Sequence, residues 1–248
     1  MIWQLIVIAM VGYLIGSINL SIILSKLMGK GDIREQGSGN AGTTNTLRVL
    51  GKGPAALVLI FDICKAVIAI LLAKGIFAIS GVEMYSTWTG GAGGIALPAL
   101  SFNLTYELGI LLAALGAILG HNYPIYYGFK GGKGIATSLG ALLMIEWQIG
   151  LVCLVFALVL MISSRMVSLG SICAAILYPV LVWIMGSAFG TSFEARMIYT
   201  IFAVLVAALA IYRHRANITR LLNGTENKLW KTKAEKLAEI SKNSEEKK

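Results

Sequence analysis

The chain predicts an all-α, polytopic membrane bundle of about seven crossings, and three observations carry that expectation. Its 248 residues are 57% hydrophobic and only 13% charged, with a mean hydropathy of +0.78, too apolar for an ordinary water-facing surface. Several apolar runs are long enough, at roughly 17 to 25 residues, to cross the hydrocarbon. The formal net charge of +9 collects in particular loops and in the tail, as expected of a membrane protein with a positive face.

Residues 2–25 form the first run, with no lysine or arginine before Lys26, so an uncleaved first span with an external N-terminus is expected. Residues 53–73, 106–124, 167–185 and 196–212 supply four more spans. Residues 134–162 are different, since one helix over them would be about 43 Å long, more than the hydrocarbon needs. Glu146-Trp147-Gln148 breaks that stretch, which predicts two short helices folded back as a hairpin, neither a comfortable span by itself. A double crossing there puts Lys26, Lys30, Arg34, Arg48, Lys52, Lys130, Lys133, Arg165 and the basic tail on one side, leaving Lys74 and Arg196 on the other. The positive-inside rule then sets the C-terminus inside. Residues 75–105, with Thr89-Gly90-Gly91-Ala92-Gly93-Gly94 and Pro98, are expected to be an external loop. The domain expected is residues 1–227, followed by a charged cytoplasmic tail at 228–248.

Cys64, Cys153 and Cys173 lie in apolar stretches without paired spacing, which predicts packing residues, no disulfide and no metal site. The basic loops suit anionic lipid or phosphate better than nucleic acid.

Two glycine-rich segments carry the chemistry. The first is Gly37-Ser38-Gly39-Asn40-Ala41-Gly42-Thr43-Thr44-Asn45 with Arg48; the second is Phe129-Lys130-Gly131-Gly132-Lys133-Gly134. Glycines allow backbone N–H groups to converge on an anion, and lysine and arginine compensate its charge, so a phosphorylated ligand is expected at the bilayer surface. The first segment matches G-x-G-x-x-G, but the polar stretch before it is no buried strand, so a dinucleotide fold is excluded. Gly134 stands where a Walker motif needs Ser or Thr, which excludes a P-loop. The alternative is that both loops are tight turns whose cations set topology.

His214 and Asn217, spaced i, i+3 in a segment that continues to Glu226, share one helical face. Ser163, Ser164, Arg165, Ser168 and Ser171 form a further polar cluster, open to two readings: ligand contact, or capping and back-bonding. Asp62 and Lys65, also at i, i+3, are either a functional pair within a span or a mutually neutralising brace.

Taken together, Gly37-Ser38-Gly39-Asn40 with Gly42, Asn45 and Arg48, Gly120-His121-Asn122-Tyr123-Pro124 with residues 129–137, and His214, Asn217 and Glu226 resemble the three motifs of the bacterial acyl-phosphate:glycerol-3-phosphate acyltransferases. The resemblance covers nearly the whole chain. It implies acyl transfer from acyl phosphate to the 1-hydroxyl of glycerol 3-phosphate, the first step of phospholipid synthesis, in a bacterial plasma membrane with a cytoplasmic active site and no cofactor. It implies catalytic roles for Ser38, Arg48, His214 and Asn217, and substrate contacts from Gly39, Asn40, Gly42, Thr43, Asn45, Lys130, Gly131, Gly132, Lys133, Gly134 and Ser168. It leaves Glu226 a structural role. Neither His121 nor His214 has an Asp five positions on, so the H-x-x-x-x-D box of other glycerolipid acyltransferases is absent. A transporter for a phosphorylated solute is the competing class, and the sequence does not set the oligomeric state.

Overall fold

A computed structural model describes residues 2–82, 85–86, 101–189 and 191–230. Among them, six segments are long and apolar enough to cross a membrane, and one shorter apolar helix joins them. The bundle is helical throughout apart from one antiparallel pairing of Tyr85–Ser86 with Ser101–Phe102.

The expected first span is two helices, α1 (Ile2–Ser17) and α2 (Leu20–Leu27). Asn19 makes the break. Its side-chain oxygen accepts from the Ile22 amide at 3.3 Å and the Ser21 hydroxyl at 2.7 Å, starting a new helix instead of continuing the old one. A short helix, α3 (Thr43–Val49), then precedes α4 (Lys52–Ile79), whose 28 residues extend past the expected end at 73. The extension into the expected loop follows from packing: Phe77 is fully buried, its ring centroid 5.3 Å from that of Tyr106. The glycine-rich run at 89–94 and Pro98 lie outside the described residues.

Helix α5 (Leu104–Asn122) is the central post. Gly12 and Gly16 of α1 face the carbonyls of Ala113 and Ala117, while Gly116 and Gly120 of α5 face α1 in return. Glycines four apart on both helices let the backbones approach closely, which is how helices associate where lipid offers no hydrophobic drive. The spacing is written in the sequence as Gly12-x-x-x-Gly16 and Gly116-x-x-x-Gly120.

The expected hairpin of two helices is present. Helix α6 (Ile135–Ile145) stops at Glu146 and α7 (Trp147–Ser164) returns beside it. The two are unequal, however: α6 has 11 residues and is too short to span, but α7 has 18 and spans by itself. Glycine decides the placement of the short one, since Gly140 sits directly on the Ile63 carbonyl of α4. Helices α8 (Val167–Met185) and α9 (Phe193–Arg213) complete the bundle, and α10 (Arg215–Leu222) turns off at His214. Thr191, between α8 and α9, donates to Glu146 at 3.3 Å, while the Leu229 amide donates to Arg165 at 2.7 Å. Both glycine loops, the α7–α8 turn and the C-terminal segment therefore gather at one end, and Glu146 lies at the other.

Candidate active site

The first loop is built around one amide. Asn45, wholly buried, accepts the Ser38 amide at 2.8 Å and donates to the carbonyls of Ile33 at 3.0 Å and Gln36 at 2.9 Å. It braces the loop from inside, with its polar atoms spent on backbone, so the expected ligand contact becomes a structural one. Asn19 adds a further tie, donating to the Ala41 carbonyl at 3.3 Å.

The second loop folds over the end of α5. The Gly131 amide donates to Asn122 at 3.2 Å and the Gly132 amide to His121 at 3.0 Å. Gly39 and Gly42 likewise donate to Gln36 and Asn40 at 3.0 and 3.1 Å. These four glycine amides close the loops on themselves, so the expectation that they cradle an anion is corrected. Amides that remain open to a ligand include those of the first turns of α3, which opens on Thr43, and of α6, which opens on Ile135 after Gly134.

Cations hold the loops together. Arg34 forks onto Asp32, with Nη2 at 2.7 Å from the carboxylate, and donates through Nη1 to Tyr127 at 2.6 Å and Lys130 at 3.0 Å in the other loop. This hydrogen-bonded fork holds the Asp32 carboxyl below its usual range. Arg213 donates to Gly132 at 2.7 Å and to Gly131 at 3.1 Å, with its guanidinium over the Tyr123 ring. From sequence Arg34 counts only as a topology-setting cation and Arg213 carries no role; both lie beside motif residues but act through tertiary contact.

Lys133 donates to Asn217, which donates through Nδ2 to Glu226 at 2.8 Å; Glu226 also accepts from Arg220 at 3.0 Å. Glu226 thus sets Asn217, and Asn217 aims Lys133. Burial brings the Lys133 ammonium down to about 8, against the opposing pull of Glu226. His214 is buried with Nδ1 at 2.8 Å from the Ala210 carbonyl. A carbonyl accepts only, so Nδ1 carries the proton and Nε2 keeps its lone pair. Burial and the nearby Lys133 push this imidazole down to about 4, so it is neutral at pH 7, unlike a base poised near its ordinary value.

Asp62 and Lys65 are more than a pair. Lys65 Nζ lies 2.8 Å from Asp62 Oδ1 and 2.6 Å from His121 Nδ1, and all three side chains are buried. Both readings of the pair find support: the charges neutralise each other, and Asp62 and His121 also line the site.

One cavity of about 1350 Å³ joins these parts. Ser38, Gly39, Asn40, Gly42, Thr43, Asn45, Arg48, Lys130, Gly131, Lys133, Gly134, Ser168, His214, Asn217 and Glu226 all line it. Gly132 does not, because it packs against His121 and Ala41. Ser168 is buried and its hydroxyl lacks a partner among the described residues, as does that of Thr43. Beyond this polar mouth the cavity continues between α6, α7, α8 and α9 along Leu139, Leu154, Ala157, Ala174 and Ala207. Sequence reasoning missed this apolar shaft, since any span supplies such residues.

The family model for glycerol-3-phosphate acyltransferase matches residues 6–224. The chain belongs to that family. It is 44% identical over 234 residues to the glycerol-3-phosphate acyltransferase of Shouchella clausii, covering 94% of this chain and all of that one. The enzyme of the same name from Halalkalibacterium halodurans is 42% identical over 221 residues, 89% of this chain and 93% of its own. Among solved structures it resembles PlsY (YgiH), an integral membrane glycerol 3-phosphate acyltransferase, in its glycerol 3-phosphate form: TM-score 0.70, 32% identity, 90% of this chain and 94% of that one. The lysophosphatidic acid form of PlsY matches with TM-score 0.69. Membership in an acyltransferase family gives a joint polar and apolar cavity an immediate chemical sense, because such an enzyme handles a hydrophilic acceptor and a fatty acyl group together.

Proposed function

We propose that this chain transfers a fatty acyl group from acyl phosphate to the 1-hydroxyl of glycerol 3-phosphate, giving lysophosphatidic acid and inorganic phosphate. The observation that carries the reading is the single cavity whose cationic mouth opens into an apolar shaft. The mouth suits two phosphates and the shaft suits the chain. The two forms of the solved relative, with glycerol 3-phosphate and with lysophosphatidic acid, are named for the acceptor and product of this reaction.

In the reaction the glycerol 1-oxygen attacks the acyl carbonyl carbon, the new ester C–O bond forms, and the C–O bond to phosphate breaks with its electron pair leaving on phosphate. Acyl phosphate is already activated, so catalysis consists chiefly of positioning and charge compensation. Arg48 and Lys133 hold phosphate oxygens, with Ser38, Asn40, Thr43 and Ser168 as hydroxyl or amide donors and the α6 amides behind them. The hydroxyl proton passes to a substrate phosphate oxygen. His214 orients the hydroxyl through its Nε2 lone pair, and its low basicity argues against full proton abstraction.

The active enzyme is residues 1–227, a multi-pass protein of the bacterial plasma membrane with the glycine loops toward the cytoplasm and the N-terminus outside; residues 228–248 are a charged cytoplasmic tail whose first residues still touch the site, through Leu229. Purified protein in detergent should release phosphate from acyl phosphate only when glycerol 3-phosphate is present, and acyl-coenzyme A should not substitute. Equal rates with the thioester would overturn the donor; no turnover in detergent would favour a transporter. Single cysteines at Gly31, Gly131, Arg165 and Asn223 should be shielded from impermeant reagents in intact cells, while Gly81 and Thr191 label. External labelling of Arg165→Cys would reverse the orientation.

A further inference from the structure

The apolar shaft has a floor. On α8 its lining runs from Ser168 through Ala175 to Tyr178, which is about 15 Å of helix at 1.5 Å per residue. On α6 and α7 it ends at Leu142 and Cys153. One level further from the mouth, Ile149, Val182 and Ala203 are wholly inaccessible, and they pack with Leu142, Cys153 and Tyr178 as one cluster. The shaft is therefore closed at its far end by a packed plug.

Tyr178 is the bulkiest side chain of that plug to face the cavity. It is 3% exposed, and its hydroxyl has no hydrogen-bond partner among the described residues. Filling space alone would be done as well by Phe without the desolvation cost of an unpaired hydroxyl. An end wall that is both large and polar is a poor neighbour for a further methylene.

We propose that Tyr178, backed by Leu142 and Cys153, is the stop against which the methyl end of the acyl chain rests, and so sets the longest acyl group that this chain transfers well. The proposal rests on the acyl-phosphate reading above. Each methylene housed in the shaft leaves water and tightens binding. The first one past the floor must displace Tyr178 or turn aside, and over-packing against a packed wall is unfavourable. Ala175 lies one turn nearer the mouth on the same face of α8, so a larger residue there should shorten the shaft.

The test is the ratio of kcat/KM across decanoyl, dodecanoyl, tetradecanoyl, hexadecanoyl and octadecanoyl phosphate, measured in detergent for the parent, Tyr178→Ala, Tyr178→Phe and Ala175→Leu. A ratio between donors is independent of how much of each variant is folded. Pockets discriminate single methylenes by about 10-fold or more, so Tyr178→Ala should raise the ratio of the next longer donor to the parent's best donor by about tenfold. Ala175→Leu should move the best donor to a shorter chain, and Tyr178→Phe, which keeps the bulk, should leave the best donor unchanged. An active parent whose profile is unmoved by Ala175→Leu, or by a folded Tyr178→Ala, overturns the stop and leaves the donor reading intact. A parent inactive with every acyl phosphate overturns the donor reading and the stop with it.

Discussion

At Gly39 in the first loop glycine serves torsion, whereas at Gly131 and Gly132 in the second it serves space. Gly39 sits at a φ of +72°, in the left-handed region where a Cβ is strained; Gly37, at +59°, needs space as well, since a Cβ there would overlap the Asn45 side chain, and Gly134, which ends the second loop, shares the left-handed torsion at +78°. Space at Gly39 is tight but not closed, the nearest atom to a built Cβ being the Arg34 carbonyl oxygen at 3.2 Å. Gly131 and Gly132 have ordinary negative-side torsions, but a Cβ on Gly131 would overlap the His121 carbonyl, and one on Gly132 would overlap His121 Nε2. The same residue type thus makes one loop a shaped turn that side chains present and the other a plate pressed onto a buried ionic cluster. The comparison predicts that damage to the second loop is the harder to absorb.

Gly132→Ala should be the most severe single change. His121 cannot retreat, because Lys65 lies 2.6 Å and Asp62 3.3 Å from its Nδ1. A fall in kcat/KM of about a hundredfold or more is expected, with a lower unfolding temperature, since several buried groups must shift at once. Parental turnover by this variant would end the distinction between the loops.

Loss of a phosphate-holding cation comes next. A charged hydrogen bond contributes about 1.5 to 3 kcal/mol, so Arg48→Ala and Lys133→Ala should each lower kcat/KM by about tenfold or more. Arg48→Lys should recover only part of this, because the bidentate fork is lost. If both alanine variants insert and turn over like the parent, the loops do not hold phosphate.

Gly39→Ala should cost less, severalfold in kcat/KM, since the strain of a positive φ is about 1 to 2 kcal/mol and the Arg34 carbonyl need give only slightly to admit the methyl. Gly39→Asn should recover most of it, as Asn tolerates that torsion. An equal loss in both would mean that space, not torsion, constrains the first loop too.

The pH response separates the loops more gently. A lysine that loses its proton near 8 instead of 10.5 binds phosphate less well above that point. The KM for glycerol 3-phosphate should therefore rise severalfold as pH increases through about 8, and Lys133→Arg should flatten the rise. By linkage, the folded state should gain stability from this group between about 8 and 10.5, because there the unfolded chain holds the proton and the folded one does not. Smallest of all, Lys236→Ala, in the tail outside the described residues, should leave kcat/KM unchanged.

Much of this protein was decided locally. Hydropathy placed the spans, and Glu146 marked the turn between α6 and α7, because burying backbone and charge in lipid is costly wherever the chain lies. Nearly every residue singled out as a candidate does line one cavity. Tertiary structure decided what each of them does there. Asn45 became a brace and the glycine amides closed onto carbonyls, since a buried N–H takes whichever acceptor the fold supplies. Arg34 and Arg213 became the ties between loops, and His121 joined Asp62 and Lys65 across two helices. The shaft and its floor at Tyr178 arise only when α6, α7, α8 and α9 meet, because a cavity is a property of the gap between helices and no one helix encodes it.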